Sequence, residues 1–246
     1  MNNNKLHILA IAAHPDDIEL GCGGTLIKHV KAGQAVGIVD LTEGEMGTRG
    51  SVEQRYKEAA NAARVMGITV RENAQMADGF FKNDEAHQRK LITYIRHYQP
   101  EIVIANALED RHPDHGRGGR LIADACFLAG LRKIETERDG KPQEPWRPKR
   151  VYHMIQDRPL TPMFIIDISD DFEQKMEAIR CYTSQFYNAN STEPQTYIST
   201  GQFLDDIAYR DALNGRRIGT RHGEGFISEN MPGLSSLDDL LLPEMP

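Results

Sequence analysis

Residues 6–13 (LHILAIAA) run directly into His14-Pro15-Asp16-Asp17-Ile18-Glu19. A short, mainly apolar run of this kind predicts a strand covered on both faces, the environment of a central strand in a parallel sheet. Parallel neighbours need helical crossovers, so the chain is expected to alternate strand and helix. The run also restricts where chemistry can sit, because open α/β sheets hold their ligands outside the carboxyl ends of the strands. His14, Asp16 and Asp17 stand at such an end. A second cluster, Arg111-His112-Pro113-Asp114-His115, follows another apolar run at residues 101–105 (EIVIA). Two strand ends, each with His and Asp in a Pro-containing turn, look like the two halves of a metal site.

The rest of the first half fits this frame. Helical spacing predicts a helix over 19–32, ended by Gly33, and a strand over 35–41. A glycine-rich loop at 42–51 leads to a helix over 52–66. A short strand at 72–77, a helix at 84–98 closed by Pro100, and the strand at 101–105 follow. The second cluster opens a helix over 115–131. The second half is less regular, with a charged, proline-bearing surface loop at 138–149, strands at 151–156 and 163–168, and helices at 170–182 and 198–213. The tail at 231–246 reads as a frayed end or an arm that packs on a neighbouring subunit. The expectation is an α/β fold: one domain over 1–246, a Rossmann-like, mainly parallel sheet flanked by helices, with a smaller C-terminal strand and helix addition.

Composition narrows the classes. At 246 residues with a formal net charge of −7, the chain argues against a nucleic-acid or anionic-membrane surface. The N-terminus lacks a cleavable apolar leader, and no apolar stretch is long enough to span a bilayer, so the chain reads as cytoplasmic. Cys22, Cys126 and Cys181 are widely spaced with no CxxC, which argues against a disulfide framework or a thiolate zinc site.

A lone His at a strand end is usually structural; the combination carries the metal reading. His14 and Asp17 lie three apart across a turn, and His115 comes from a second strand end. Two imidazoles and one carboxylate leave a tetrahedral ion with an open position for water, as in catalytic zinc sites. Asp16 is then free to act as general base toward that water. His112, paired with Asp114, would stabilise an oxyanion or protonate a leaving amine. The plainer reading is that Asp114 caps a helix and His112 packs. An N2O donor set accommodates Zn(II), Fe(II) or Mn(II).

AHPDDIELGCGGT followed by RHPDH resembles the zinc-dependent LmbE/PIG-L family of N-acetylglucosamine deacetylases, and the resemblance extends through EGEMGTRGSVEQRYKEA to GTRHGEGF, where His222 replaces the Tyr of many relatives. The resemblance implies a Rossmann-like sheet and one zinc ion held by His14, Asp17 and His115. It also implies Asp16 as general base, and His112 oriented by Asp114 as the electrophilic or acid partner. Residues 43–50 with Arg55, the VYHMIQD segment and Ser184-Gln185-Phe186 are most similar to the bacillithiol-biosynthesis deacetylases. These cleave N-acetylglucosaminyl malate to glucosaminyl malate and acetate. Arg49, Arg55 and Arg111 are candidates to bind the malate carboxylates. A general N-acetylglucosamine or chitobiose deacetylase, or a mycothiol-like conjugate amidase, is the alternative. The small-molecule conjugate is the expected partner, and a homo-oligomer is expected because similar proteins are often multimers.

Two other classes are weaker. Gly21-Cys22-Gly23-Gly24 fails the GxGxxG test of a nucleotide-binding Rossmann protein, because Leu26 occupies the third glycine position. A purely structural metal site lacks its thiolates. The glycines are expected to let the first helix approach the metal loop, Cys22 to be a buried thiol, and Asp40 to be structural or to support the active-site loop. His153 and His222 are second-rank site candidates.

Overall fold

The computed structural model describes residues 4–242; the last four residues of the predicted tail lie outside it. In chain order the elements are β1 (Ile8–Ala12), α1 (Asp17–Lys31), β2 (Val36–Thr42), α2 (Val52–Met66), β3 (Val70–Met76), α3 (Glu85–Tyr98), β4 (Ile102–Asn106) and α4 (Pro113–Leu128). A small hairpin, β5 (Glu137–Arg138) with β6 (Lys141–Pro142), precedes β7 (Arg150–Met154), β8 (Phe164–Asp167), α5 (Phe172–Arg180), α6 (Gly201–Arg217) and β9 (Gly223–Ile227). Seven strands form one sheet in the order β3-β2-β1-β4-β7-β9-β8. The first five are parallel, and β9 joins antiparallel to both β7 and β8. The C-terminal addition therefore extends the main sheet.

β1 shows why its sequence is apolar throughout. Ile8, Ala10 and Ala12 enter one core with residues of α1, α2, α5 and α6, while Leu9, Ile11 and Ala13 enter a second core with residues of α3 and α4. Every β1 residue is buried. The chain moves outward from β1 to β2 and β3, then returns to place β4 on the other side of β1. Between the carboxyl ends of β1 and β4 lies the crevice of a topological switch point.

Helix α1 starts at Asp17 and breaks at Cys22, where φ is −148°. The break frees backbone N–H groups, and the Glu224 carboxylate accepts from Gly24 N at 3.0 Å and Thr25 N at 2.7 Å. Gly24 allows close packing: a Cβ there would lie 2.8 Å from Ile168. Gly24 thus brings α1 against the C-terminal addition, and Gly21 brings it against β7, where a Cβ would lie 2.5 Å from Met154; neither packs on the metal loop as expected. No helix among the described residues is long and apolar enough to cross a membrane.

Candidate active site and metal centre

Two short turns, one after β1 and one after β4, carry the site. At the first, Asp16 takes φ 121°, a conformation that favours glycine. The turn lets α1 begin at once, with Asp17 as its first residue. At the second, His112 caps α4 and Pro113 takes the first helical position, where its missing N–H costs nothing. His115 then faces back across the crevice.

Asp17 sits between two imidazoles, 3.4 Å from His14 Nδ1 and 3.1 Å from His115 Nε2. Its carboxylate also accepts from the His14 backbone N–H at 3.0 Å, from Asn106 Nδ2 at 3.3 Å and from Gln156 Nε2 at 2.8 Å. The far nitrogen of His14, Nε2, lies 3.1 Å from Asp78 and 3.4 Å from Asp114. His14, His112 and His115 each offer a ring nitrogen within 4.8 Å of the others. His14, Asp78 and Asp114 form a second set meeting the same limit. Both sets contain only nitrogen and oxygen donors, which suit a divalent first-row cation. Cys22 stays in the core and does not line the cavity.

The adjacent carboxylates are pushed in opposite directions. Burial alone would raise both. Asp17 is nevertheless held well below the usual carboxylate range, because the charges and hydrogen bonds of His115 and His14 outweigh its desolvation. Asp16 has Arg55, at 3.4 Å, as its main countercharge, and burial dominates to raise its pKa. Pairs of carboxylates separated in this way take different chemical roles. For His115, burial is overcome by Asp17 and Asp110, raising it to about 9. His112 goes the other way, lowered first by burial and then by the charges of His14 and His115.

His14, Asp16, Asp17, His112 and His115 all line one cavity of about 300 Å³, together with Arg55 and Arg111. Two expectations are corrected. Asp114 does not hold His112 by its carboxylate. His112 Nδ1 accepts from the Asp114 backbone N–H at 3.2 Å, as a helix cap, while the fully buried carboxylate turns to Gly79 N at 2.8 Å, Arg117 at 2.9 Å and His14. Arg49 does not line the cavity. Its guanidinium is buried and donates to Ser184 O at 2.7 Å, Ser191 Oγ at 2.8 Å and Pro194 O at 3.1 Å, pinning the glycine-rich loop to residues 184–194.

The second-rank residues separate clearly. His153 Nδ1 donates to Asn106 O at 2.7 Å, behind the site. His222 stacks on Phe172 with ring centroids 3.8 Å apart, away from the cavity. Asp40 pairs with Arg71 through two bonds of 2.9 and 3.0 Å. Sequence reasoning missed Asp78, Asn106, Asp110 and Gln156. Asn106 ends β4, and Asp110 lies just ahead of the second cluster, so their positions at a strand end were the available signal. Asp78 and Gln156 reach the site only through tertiary packing.

Residues 9–126 match the family model described as PIG-L, GlcNAc-PI de-N-acetylase. A solved structure, the conserved protein TT1542 from Thermus thermophilus, is 34% identical, with a TM-score of 0.84 over 94% of this chain and 98% of that one. The chain belongs to the PIG-L family. Its similarity to the diacetylchitobiose deacetylase of Thermococcus kodakarensis is 29% identity over 194 residues, 75% of this chain and 72% of the relative. A probable N-acetyl-α-D-glucosaminyl L-malate deacetylase 2 of Bacillus anthracis is 28% identical over 149 residues, 54% of this chain and 65% of the relative. The PIG-L scaffold also serves another reaction, since a 4-oxalmesaconate hydratase of Pseudomonas putida is 26% identical over 201 residues, 75% and 76% of the two chains. This PIG-L chain is an amide hydrolase, a deacetylase of N-acetylglucosamine-type substrates.

Proposed function

We propose that the protein hydrolyses the acetamide of an N-acetylglucosamine conjugate whose aglycone carries carboxylates, N-acetylglucosaminyl malate, giving glucosaminyl malate and acetate. The observation that carries the substrate class is Arg111. It stands at the cavity, 44% exposed, with Nε on Asp157 at 2.6 Å and its guanidinium carbon 4.4 Å from the centre of the Tyr197 ring. Among the described residues, neither terminal amino group of Arg111 has a protein hydrogen bond, so that edge presents a fork suited to a carboxylate. Arg210, also at the cavity, is already committed to Leu20 O, Gln156 O and Asp211.

His14, Asp17 and His115 are the ligands in this reading, and zinc is the ion assigned to them, although their N2O set also accommodates Fe(II) or Mn(II). The ion would supply a Lewis acid for the acetamide carbonyl and make the attacking water more acidic. Asp16, poised by burial to accept a proton nearer neutrality, takes one from the water as it attacks the carbonyl carbon. It returns that proton to the sugar nitrogen as the C–N bond breaks, so acetate leaves and the amine is released. Burial and the charges of His14 and His115 lower the pKa of His112 and so favour its neutral form, and its Nδ1 is occupied as an acceptor. Its Nε2–H therefore donates to the oxygen that gains charge. Arg55 holds the Asp16 turn through Pro15 O.

The test is acetate release from N-acetylglucosaminyl malate and from free N-acetylglucosamine by the zinc-loaded wild type and Arg111→Ala. The substitution is expected to lower kcat/KM for the malate conjugate by about 10- to 100-fold, from ~1.5–3 kcal/mol for a hydrogen bond to a charged group. Turnover of free N-acetylglucosamine should be unchanged. Equal wild-type rates on both substrates, or on diacetylchitobiose and the malate conjugate, would replace this substrate by a general one.

A further inference from the structure

Asp110 follows β4 and does not line the cavity, and its side chain is almost fully enclosed. One oxygen, Oδ1, accepts two backbone N–H groups at 2.8 Å each, from Arg111 and from Arg158. The other, Oδ2, lies 2.6 Å from His115 Nδ1. Both oxygens are therefore engaged, and the carboxylate has no freedom to turn. Because Oδ2 can only accept, the proton between it and the imidazole belongs to Nδ1. With that proton held on Nδ1, Nε2, the nitrogen that faces Asp17 at 3.1 Å, is the one that would offer its lone pair to a cation in exchange for its own proton.

We infer that Asp110 is a positioning residue: it fixes the tautomer and orientation of His115, and through its other oxygen it ties that ligand to the backbone of Arg111 at the cavity mouth. This rests on the ligand assignment proposed above. Outer carboxylates of this kind raise ligand basicity and typically change metal affinity 10- to 100-fold.

Asp110→Asn separates positioning from simple structural support. The amide oxygen can keep the bonds from Arg111 and Arg158, because only an acceptor satisfies two N–H donors. The NH2 group must then face His115 and donate to Nδ1, which moves the imidazole proton to Nε2. The fold is preserved and the ligand nitrogen is blocked. Zinc affinity is measured by competition with a chromophoric chelator for wild type, Asp110→Asn and His115→Ala. The expected result is a loss of 10-fold or more for Asp110→Asn, with an unchanged far-UV spectrum, and a larger loss for His115→Ala. Wild-type zinc affinity in Asp110→Asn, with affinity lost in His115→Ala, would overturn the role of Asp110 alone. Wild-type affinity in both would overturn the ligand assignment and this inference with it. If Asp110→Asn fails to fold, the zinc-loaded wild type decides the matter by nitrogen-15 NMR: a downfield, exchange-protected proton on His115 Nδ1 is expected, and its absence refutes the pairing.

Discussion

The site is supported from behind by a buried ion cluster whose removal should be costly. Lys175, fully enclosed, places Nζ 2.5 Å from Asp211 and 2.7 Å from Glu224, both also fully enclosed. Glu224 is the group that caps the broken helix α1, and Asp211 is shared with Arg210 at 3.0 Å. Lys175→Met keeps the aliphatic stem and removes the cation. Breaking a buried pair by deleting one partner typically costs ~3–5 kcal/mol, because the remaining charge stays desolvated. Here two carboxylates lose their shared cation, but each keeps another donor, so about 4 kcal/mol is expected from that range. Urea unfolding at neutral pH measures it. A sign accompanies the size. The folded variant would bind a proton that the unfolded chain does not hold, so its stability should fall more steeply with rising pH than that of the wild type. Combining Lys175→Met with Glu224→Gln should recover part of the loss. A cost under about 1 kcal/mol, or one independent of pH between roughly 5 and 8, would refute the view that the cluster is a charge-balanced support for α1.

Gly119 of α4 has no room for a side chain: a Cβ would lie 2.6 Å from Asn106 O and 3.0 Å from Ala107 O. Gly119→Ala should therefore destabilise by ~1–3 kcal/mol in thermal unfolding despite its better helix propensity, and a rise in Tm would contradict that. Arg49→Ala should make residues 184–194 sensitive to limited proteolysis and lower turnover of malate conjugate and free sugar alike. A loss confined to the malate conjugate would return Arg49 to the substrate.

The central sheet was legible because its signal is local. β1 and β4 read as unbroken apolar runs, and the predicted bounds of α2 coincide with Val52–Met66, where Ser51 accepts from Gln54 N and Gly67 ends the helix at φ 74°. β9 was not legible. Its sequence, GEGFI, has two glycines and a buried glutamate, and that glutamate is buried only because Lys175 and the α1 break receive it. The same contrast runs through the site. His14, Asp16, Asp17, His112 and His115 could be placed together because each strand end carries its own cluster. Arg49 and Arg111 could not be told apart, since what separates them is whether backbone carbonyls from a distant segment consume the guanidinium. The Asp114 pairing failed for a related reason. Once His112 became the helix cap, its nitrogen was taken by a backbone N–H.

Asp16 combines strain, burial and the proposed proton transfer in one residue, and that combination can be separated by experiment. Its φ of 121° costs a non-glycine residue ~1–3 kcal/mol. Burial of its carboxylate beside Asp17 adds to that cost, with Arg55 the main opposing charge. Asp16→Asn keeps the strain and the shape but cannot accept a proton, so turnover should fall about 10²- to 10⁴-fold while zinc is retained. Asp16→Gly removes both strain and charge and adds only ~0.5–1 kcal/mol of unfolded-chain entropy. Both variants leave Arg55 without that countercharge, so Asp16→Gly should be more stable than Asp16→Asn, by about 1 kcal/mol, and equally inactive. Stability is read from urea unfolding of both variants, and activity from acetate release. If Asp16→Gly is less stable than Asp16→Asn, the turn is not strained. If Asp16→Asn loses its zinc, Asp16 is a ligand and the proton must be carried elsewhere.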